Sequence, residues 1–357
     1  MKRLPRALSS HWRIAIALAP VMLALSAAPL PAGFIGWTYS VASDGLSSQI
    51  SRTTNGGTNW SVQENASGHL QSLAFSDTLH GWAGINGSSS LLHTTDGGVS
   101  WTSVSTGVGT VGFLGISALD AQNVWAIGFG SALAHTSNGG ATWSAQSPQP
   151  NGNGNFYSVQ FLNSLDGWLV GDKAIQHSTD GGQTWNVQLS STSFHGLFFD
   201  DLSNGWAIGA NNALFHTSNG GAAWAFQSTG LTATANLEGI FFTSPNIGWL
   251  VTAGGQILHT TNGGANWATQ FTGANALLGV SFVDSLNGWA VGLNSTVLHT
   301  ADGGASWNPQ SPGTVDPFID AVVFPASAVP EPTSLLLMGL GIVIGGLTYV
   351  GRAHRRS

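Results

Sequence analysis

Six histidines recur at one position of a repeated pattern: His93, His135, His177, His216, His259 and His299. Imidazole is the side chain best suited to proton transfer near neutral pH and a common zinc ligand. A zinc site, however, needs several ligands converging on one ion, and one imidazole per repeat does not converge. The first repeat carries Arg52 at the same position, so a structural role is expected. A second recurrent set consists of Asn55, Asp96, Asn138, Asp180, Asn219, Asn262 and Asp302. Four of these seven are amides, and one carboxylate per turn is too little for a calcium cage. They are expected to be structural turn residues, with no metal and no cofactor. Glu64, Glu238, Asp44, Asp200 and Asp201 fall off the pattern. A glycosidase needs two carboxylates flanking one bond, and nothing in the sequence pairs these acids. The chain has no Cys, which removes thiolate chemistry, and its 9 Lys+Arg against 16 Asp+Glu argue against nucleic acid as a partner.

The elements that must position these residues are legible from the same repeat. TTNGGTNW (53–60) returns as TTDGGVSW, TSNGGATW, STDGGQTW, TSNGGAAW, TTNGGANW and TADGGASW, with its Trp at 60, 101, 143, 185, 224, 267 and 307. Spacings of 39 to 43 residues match one four-stranded propeller blade, roughly 40–50 residues. A second Trp series at 37, 82, 125, 168, 206, 249 and 289 has the same period, so only Trp12 of the fifteen Trp lies outside the repeats. An apolar strand lies seven residues before the second-series Trp, ending in Phe75, Phe161, Phe199, Phe242 and Phe282, with Ala118 as the exception. The first repeat lacks this strand, and a spare copy, FIDAVVF (318–324), stands at the far end. The expected fold is all-β: a seven-bladed propeller of four-stranded blades over 33–326, closed by the C-terminal strand completing blade 1. Closure of this kind leaves no open sheet edge.

The repeat resembles the Asp-box, or bacterial neuraminidase repeat. Its combination of a Phe strand, GWAVG, ILHTTDGG and TW is similar to the photosystem II stability/assembly factor family of seven-bladed propellers, over about residues 34–325. That resemblance implies a non-catalytic binding protein. The family is thought to dock through an arginine patch, which Arg52 alone does not make, so its specific partner does not carry over. Sialidases with Asp-boxes clamp substrate with three arginines. Between 33 and 329 the only basic residues are Arg52 and Lys173, so a sialidase is not expected.

Both ends read as addresses. Residues 1–32 have a basic leader, a fifteen-residue apolar run (14–28) and small residues after it, as a secretory signal does; a retained anchor is the alternative. Residues 327–357 contain Pro330, Glu331 and Pro332, then an uncharged, mostly apolar stretch (334–351) and a basic end. This order resembles the PEP-CTERM sorting signal, which implies a membrane-anchored helical intermediate in the inner membrane and cutting by an exosortase-like enzyme. Release to the periplasm, cell surface or exterior would follow; a simple C-terminal anchor is the alternative.

Loop irregularity points to one face. In a four-stranded blade the loops between strands 2 and 3 and between blades share a face, opposite the Asp-box turns. The irregular segments 40–49, 148–157 and 229–238 all fall there, with Tyr39, Asp44, Phe156, Tyr157, Asp172, Lys173 and Glu238 as the candidate binding face. The expectation is an exported, non-catalytic propeller binding a protein or an extracellular polysaccharide. A photosystem-type assembly chaperone and a glycan-cleaving hydrolase are the alternatives. Residues 33–329 hold 15 Asp+Glu and 2 Lys+Arg, which disfavours anionic partners.

Overall fold

The computed structural model describes residues 34–108, 112–147, 154–190, 193–232, 234–311 and, as backbone, 318–323. The leader, the Pro330-Glu331-Pro332 motif and the apolar stretch after it lie outside the described residues. Among the described residues no helix is long and apolar enough to cross a membrane.

Seven antiparallel four-stranded sheets form the seven blades. In six, the strands run in chain order from the centre outward, beginning with Leu70–Phe75, Phe113–Ala118, Phe156–Phe161, Phe194–Phe199, Leu237–Phe242 and Leu277–Phe282. Blade 1 instead takes Phe318–Val323 as its first strand, paired with Gly36–Val41 in the register Trp37↔Val323 and Val41↔Phe318. The last and first described strands thus share one sheet, as the displaced repeat requires. First strands of neighbouring blades touch all the way around the ring, which makes them the inner wall.

The Asp-box turns show why Asp and Asn interchange. In blade 2, Asp96 Oδ1 accepts from Thr94 Oγ1 at 2.8 Å and from the Ser100 N–H at 2.9 Å. Asn138 Oδ1 makes the same two bonds, from Thr136 and Thr142. The second carboxylate oxygen is used only where a hydroxyl follows four residues later: Ser100, Thr184 and Ser306 each donate to it at 2.6 Å. Gly97 and Gly98 close the turn at φ 73 and 87, a region costly for any residue with a Cβ.

Between blades the aromatic repeats form a layered stack. The Trp of one blade lies face to face on the Phe of the next at 3.6 to 3.9 Å: Trp37–Phe75, Trp125–Phe161, Trp168–Phe199, Trp206–Phe242 and Trp249–Phe282. The Asp-box Trp meets the edge of that Phe at 5.8 to 6.0 Å. The recurrent His packs against the remaining Trp face at 3.7 to 4.9 Å. In blade 1, Arg52 takes this place, 5.6 Å from the Trp37 ring. Each aromatic pair contributes about 0.5–1.5 kcal/mol beyond the burial of its area. This packing accounts for a stable ring in a chain that is only 7% charged.

Two details differ from the sequence reading. The fourth strands begin after the Asp-box Trp rather than at it, and in blades 3, 5 and 7 they shrink to Ser144–Ala145, Ala225–Phe226 and Asn308–Pro309. Segment 40–49 is mostly strand: Ser40 pairs with Gln49, and the loop narrows to 42–46. Asp44 Oδ1 accepts the Leu46 N–H at 2.8 Å and Gly45 turns at φ 66, which closes the hairpin tightly.

Candidate functional site

The inner strands alternate side chains between the blade core and the channel. Their second residues, Gln71, Leu114, Tyr157, His195, Glu238 and Leu278, come from six blades and converge with Phe129 on one cavity of about 340 Å³. A smaller cavity of about 220 Å³, lined in part by Tyr39, adjoins it and shares Gln71, Leu114 and Tyr157. Each of these second residues lies at a bulge just inside the start of its strand, next to a residue paired with the end of strand 2, as Leu114 lies next to Phe113, which pairs with Gly128. The cavity therefore opens on the face of the 2–3 and inter-blade loops.

A hydrogen-bonded group builds one wall. Tyr157 donates from its hydroxyl to Asp172 Oδ1 at 2.7 Å, and the Asn155 N–H donates to Asp172 Oδ2 at 2.8 Å. Asn155 Oδ1 in turn accepts the Gly130 N–H at 3.2 Å, tying blade 4 to the Phe129–Ser131 turn of blade 3. Burial pushes the Tyr157 phenol above its ordinary pKa, and the Asp172 carboxylate pushes the same way against an opposing bond from Asn155. The phenol is thus neutral and already committed, which makes it a poor nucleophile. His195 presents its ring edge-on to Tyr157, centroids 6.0 Å apart at 82°, and its Nδ1 lies 3.8 Å from Glu238 Oε2. That nitrogen is buried without a hydrogen-bond partner.

The seven candidate face residues separate into three groups. Tyr157, Glu238 and, through Tyr157, Asp172 come together at the channel mouth. Tyr157 and Glu238 belong to inner strands rather than to irregular loops. Lys173 and Asp44 are exposed on turns of the same face, outside the cavity lining. Phe156 and Tyr39 are 0% and 1% exposed; both pack into blade cores, and Tyr39 reaches only the wall of the smaller cavity. Residues 148–153 of the second irregular segment lie outside the described residues. Sequence reasoning missed Gln71, Leu114, His195 and Leu278. Their shared signal, the second place in each inner strand, is positional and not a matter of residue type.

The other acids do not join this site. Asp201 Oδ1 accepts the Ser203 and Asn204 N–H groups at 2.6 and 2.7 Å, capping a 1–2 turn. Burial, with the Asp201 charge beside it, pushes Asp200 up. Both follow the end of an inner strand whose equivalent position in blade 6 lies at the far end from Glu238. A six-residue strand spans roughly 20 Å, well beyond the ~5–10 Å that a glycosidase pair requires. Glu64 stands on the outermost strand of blade 1, Ser61–Ser67. Among the described residues no group of three or more His, Asp or Glu could hold a metal ion. Burial lowers the pKa of all six recurrent histidines, and His299 falls to about 4.

Fold and repeat together define a seven-bladed Asp-box propeller with a cavity at one mouth of its channel. The model for "Photosynthesis system II assembly factor YCF48" matches residues 56–175, 110–195 and 186–272, and the chain belongs to that family. A PEP-CTERM protein-sorting motif matches residues 328–356. Among solved structures, "YCF48 bound to D1 peptide" is 21% identical with a TM-score of 0.56, covering 67% of this chain and 81% of its own. YCF48 from Cyanidioschyzon merolae is 21% identical at 0.57, covering 68% and 84%. The GH74 enzyme of Niastella koreensis is 12% identical at 0.52, covering 79% and 67%. At these identities the likeness concerns the fold. No curated protein matches the chain.

Proposed function

We propose that this chain is an exported, non-catalytic propeller that holds a segment of a partner protein at the mouth of its central channel. The observation that carries the reading is the convergence of Gln71, Leu114, Tyr157, His195, Glu238 and Leu278 on one cavity. Six blades contribute to it, yet it contains a single carboxylate in its lining and a tyrosine whose hydroxyl is already bonded. Such a cavity has the means to bind, and the other acid at the mouth, Asp172, is outside the lining and bonded to Tyr157 and Asn155. A structure of YCF48 with a D1 peptide supports a protein segment as the ligand class over a polysaccharide. The sorting motif supports delivery through a membrane-anchored intermediate, with an exosortase-like enzyme cutting near Pro330-Glu331-Pro332.

The test uses a photo-crosslinking residue in the full chain, at Leu278 on the mouth or at Leu202, which is 50% exposed on the opposite face. A discrete protein adduct from position 278 and none from 202 is the expected result. Adducts from 202 alone would overturn the reading. So would robust glycan hydrolysis abolished by Glu238→Gln, which would establish the hydrolase in its place.

A further inference from the structure

The chemistry of the mouth narrows what it can hold. We propose that the cavity takes a single cationic side chain, the ammonium of Lys or the guanidinium of Arg, from an extended segment of the partner. The inference rests on the function proposed above and adds the chemical class of the recognised group.

Three features of the cavity lead to this assignment. Glu238, its side chain 22% exposed, places a carboxylate oxygen 3.8 Å from His195 Nδ1. That separation is too long for a hydrogen bond between them. With the proton on Nε2, His195 Nδ1 is an acceptor. One multivalent N–H donor seated on the Glu238 carboxylate from the cavity side can bridge to the buried Nδ1 as well, and both Lys and Arg carry several such protons.

The walls supply the second feature. Tyr157 and Phe129 contribute aromatic rings, and Leu114 and Leu278 contribute aliphatic surface. Aromatic faces attract cations, by about 0.5–2 kcal/mol depending on solvation, while aliphatic walls cover the methylene stem of a long basic side chain. Because the Tyr157 hydroxyl donates to Asp172, a second negative charge stands at the hydroxyl end of the ring. An anionic ligand would meet Glu238 and Asp172 with no cation in the cavity lining to offset them.

Net charge is the third feature. From 33 to 329 the balance is 2 Lys+Arg against 15 Asp+Glu, one of the two cations being Arg52, stacked on Trp37. The other, Lys173, is exposed on the turn beside Asp172. The protein as a whole therefore favours positive over negative partners, and at the mouth itself the charge is set by Glu238 and Asp172.

The experiment titrates the full mature chain with nine-residue Gly/Ser peptides bearing Arg, Lys, Gln or Glu at the centre, and with spermidine as a free polyamine. The readout is the His195 side-chain NMR resonance. Saturable shifts with the Arg and Lys peptides, absent with Gln and Glu, are expected. Affinity should fall about tenfold in Glu238→Gln, in line with the loss of one partly desolvated charge partner. Tyr157→Phe, which keeps the ring, should lose less than Tyr157→Leu. Equal response to the Arg and Glu peptides, or full Arg binding by a folded Glu238→Gln variant, would overturn the proposal. Spermidine binding with no response to either basic peptide would overturn the peptide assignment. A partner adduct from position 278 that survives Glu238→Gln unchanged would leave the docking role standing while removing the cation site.

Discussion

Trp37 Nε1 donates to the backbone carbonyl of Gly97 at 3.0 Å, a buried bond between blade 1 and the Asp-box turn of blade 2. The same reach from one blade to the first box glycine of the next recurs as Trp125–Gly181, Trp168–Gly220, Trp206–Gly263 and Trp249–Gly303. In those four, a glutamine three residues after the preceding box Trp gives the carbonyl a second donor, as Gln146 does to Gly181 at 3.1 Å. Gln63, its counterpart in blade 1, bonds to Ser61 instead.

This asymmetry sets a comparison. Trp37→Phe and Trp125→Phe both remove an indole donor from a fully buried stack. Only the first leaves its glycine carbonyl without a replacement, and a buried unsatisfied acceptor costs about 1–3 kcal/mol. Trp37→Phe should therefore destabilise by about 1–2 kcal/mol more than Trp125→Phe, read from paired urea melts. Equal losses would show that the glutamine donor does not compensate.

Blade 3 makes a second test, because Ala118 stands where five inner strands end in Phe. Trp82 has moved into the vacated space. It meets Trp143 edge-on at 5.5 Å and 86°, the contact that Phe makes elsewhere, and lies on His93 at 3.7 Å. A Cβ on Gly140 would run into its ring. Restoring the repeat with Ala118→Phe should overpack this site and cost about 1–3 kcal/mol. A gain in melting temperature would show that Trp82 swings back at no expense.

The blade count, the swapped closing strand and the turn chemistry were legible in the sequence because each rests on a residue type that recurs: Trp, Phe, or Asp/Asn-Gly-Gly. The channel mouth was not, because the second place of the inner strands reads Gln71, Leu114, Tyr157, His195, Glu238 and Leu278, and no type repeats around the ring apart from Leu. Loop irregularity did find Tyr157 and Glu238. It found Tyr39 and Phe156 as well, since lying near a loop does not say which way an alternating strand turns a side chain. His195 was hidden for a related reason. It lacks the period of the six stacked histidines, and only convergence in three dimensions brings it beside Glu238.

Acid should weaken the ring through the stacked histidines. Burial holds their folded pKa below the ordinary 6.5, with His299 at about 4. Below pH 6.5 the unfolded chain binds more protons than the folded one, so stability is full above that value and is lost as pH falls toward 4. Nearby charges modify the pattern: Asp166 opposes the shift at His177 and Asp302 at His299, whereas His80 adds to it at His93. The box carboxylate of Asp96, held down to about 2 mainly by Ser100, enters only at lower pH. The melting midpoint should drop between about pH 7.5 and pH 4.5, and His299→Gln should reduce the drop. A flat profile over that range would mean that the imidazoles titrate freely on their Trp faces.

Ring closure gives the last prediction. The pairing of Phe318–Val323 with Gly36–Val41 is the ladder that joins the last described strand to the first. All six residues from Gly36 to Val41 are also tied through the next ladder into Ser47–Thr53, in the register Gly36↔Thr53 to Val41↔Ser48. Removing the closing strand would thus leave blade 1 as a formed three-stranded sheet with an open inner edge rather than unfold it. Such an edge is a template for pairing with another chain, and Gly36–Val41 is buried at every residue in the closed ring. A chain ending at Ser311 should therefore elute from size-exclusion as oligomers or aggregate, while a chain ending at Ser327 stays monomeric at the same concentration. Adding a synthetic peptide spanning 316–326 to the shorter chain should restore the monomer. If the shorter chain is monomeric with an unchanged melting midpoint, the contacts between blade 7 and blade 1, such as Trp289 against Gly57, are sufficient to hold the ring without the strand.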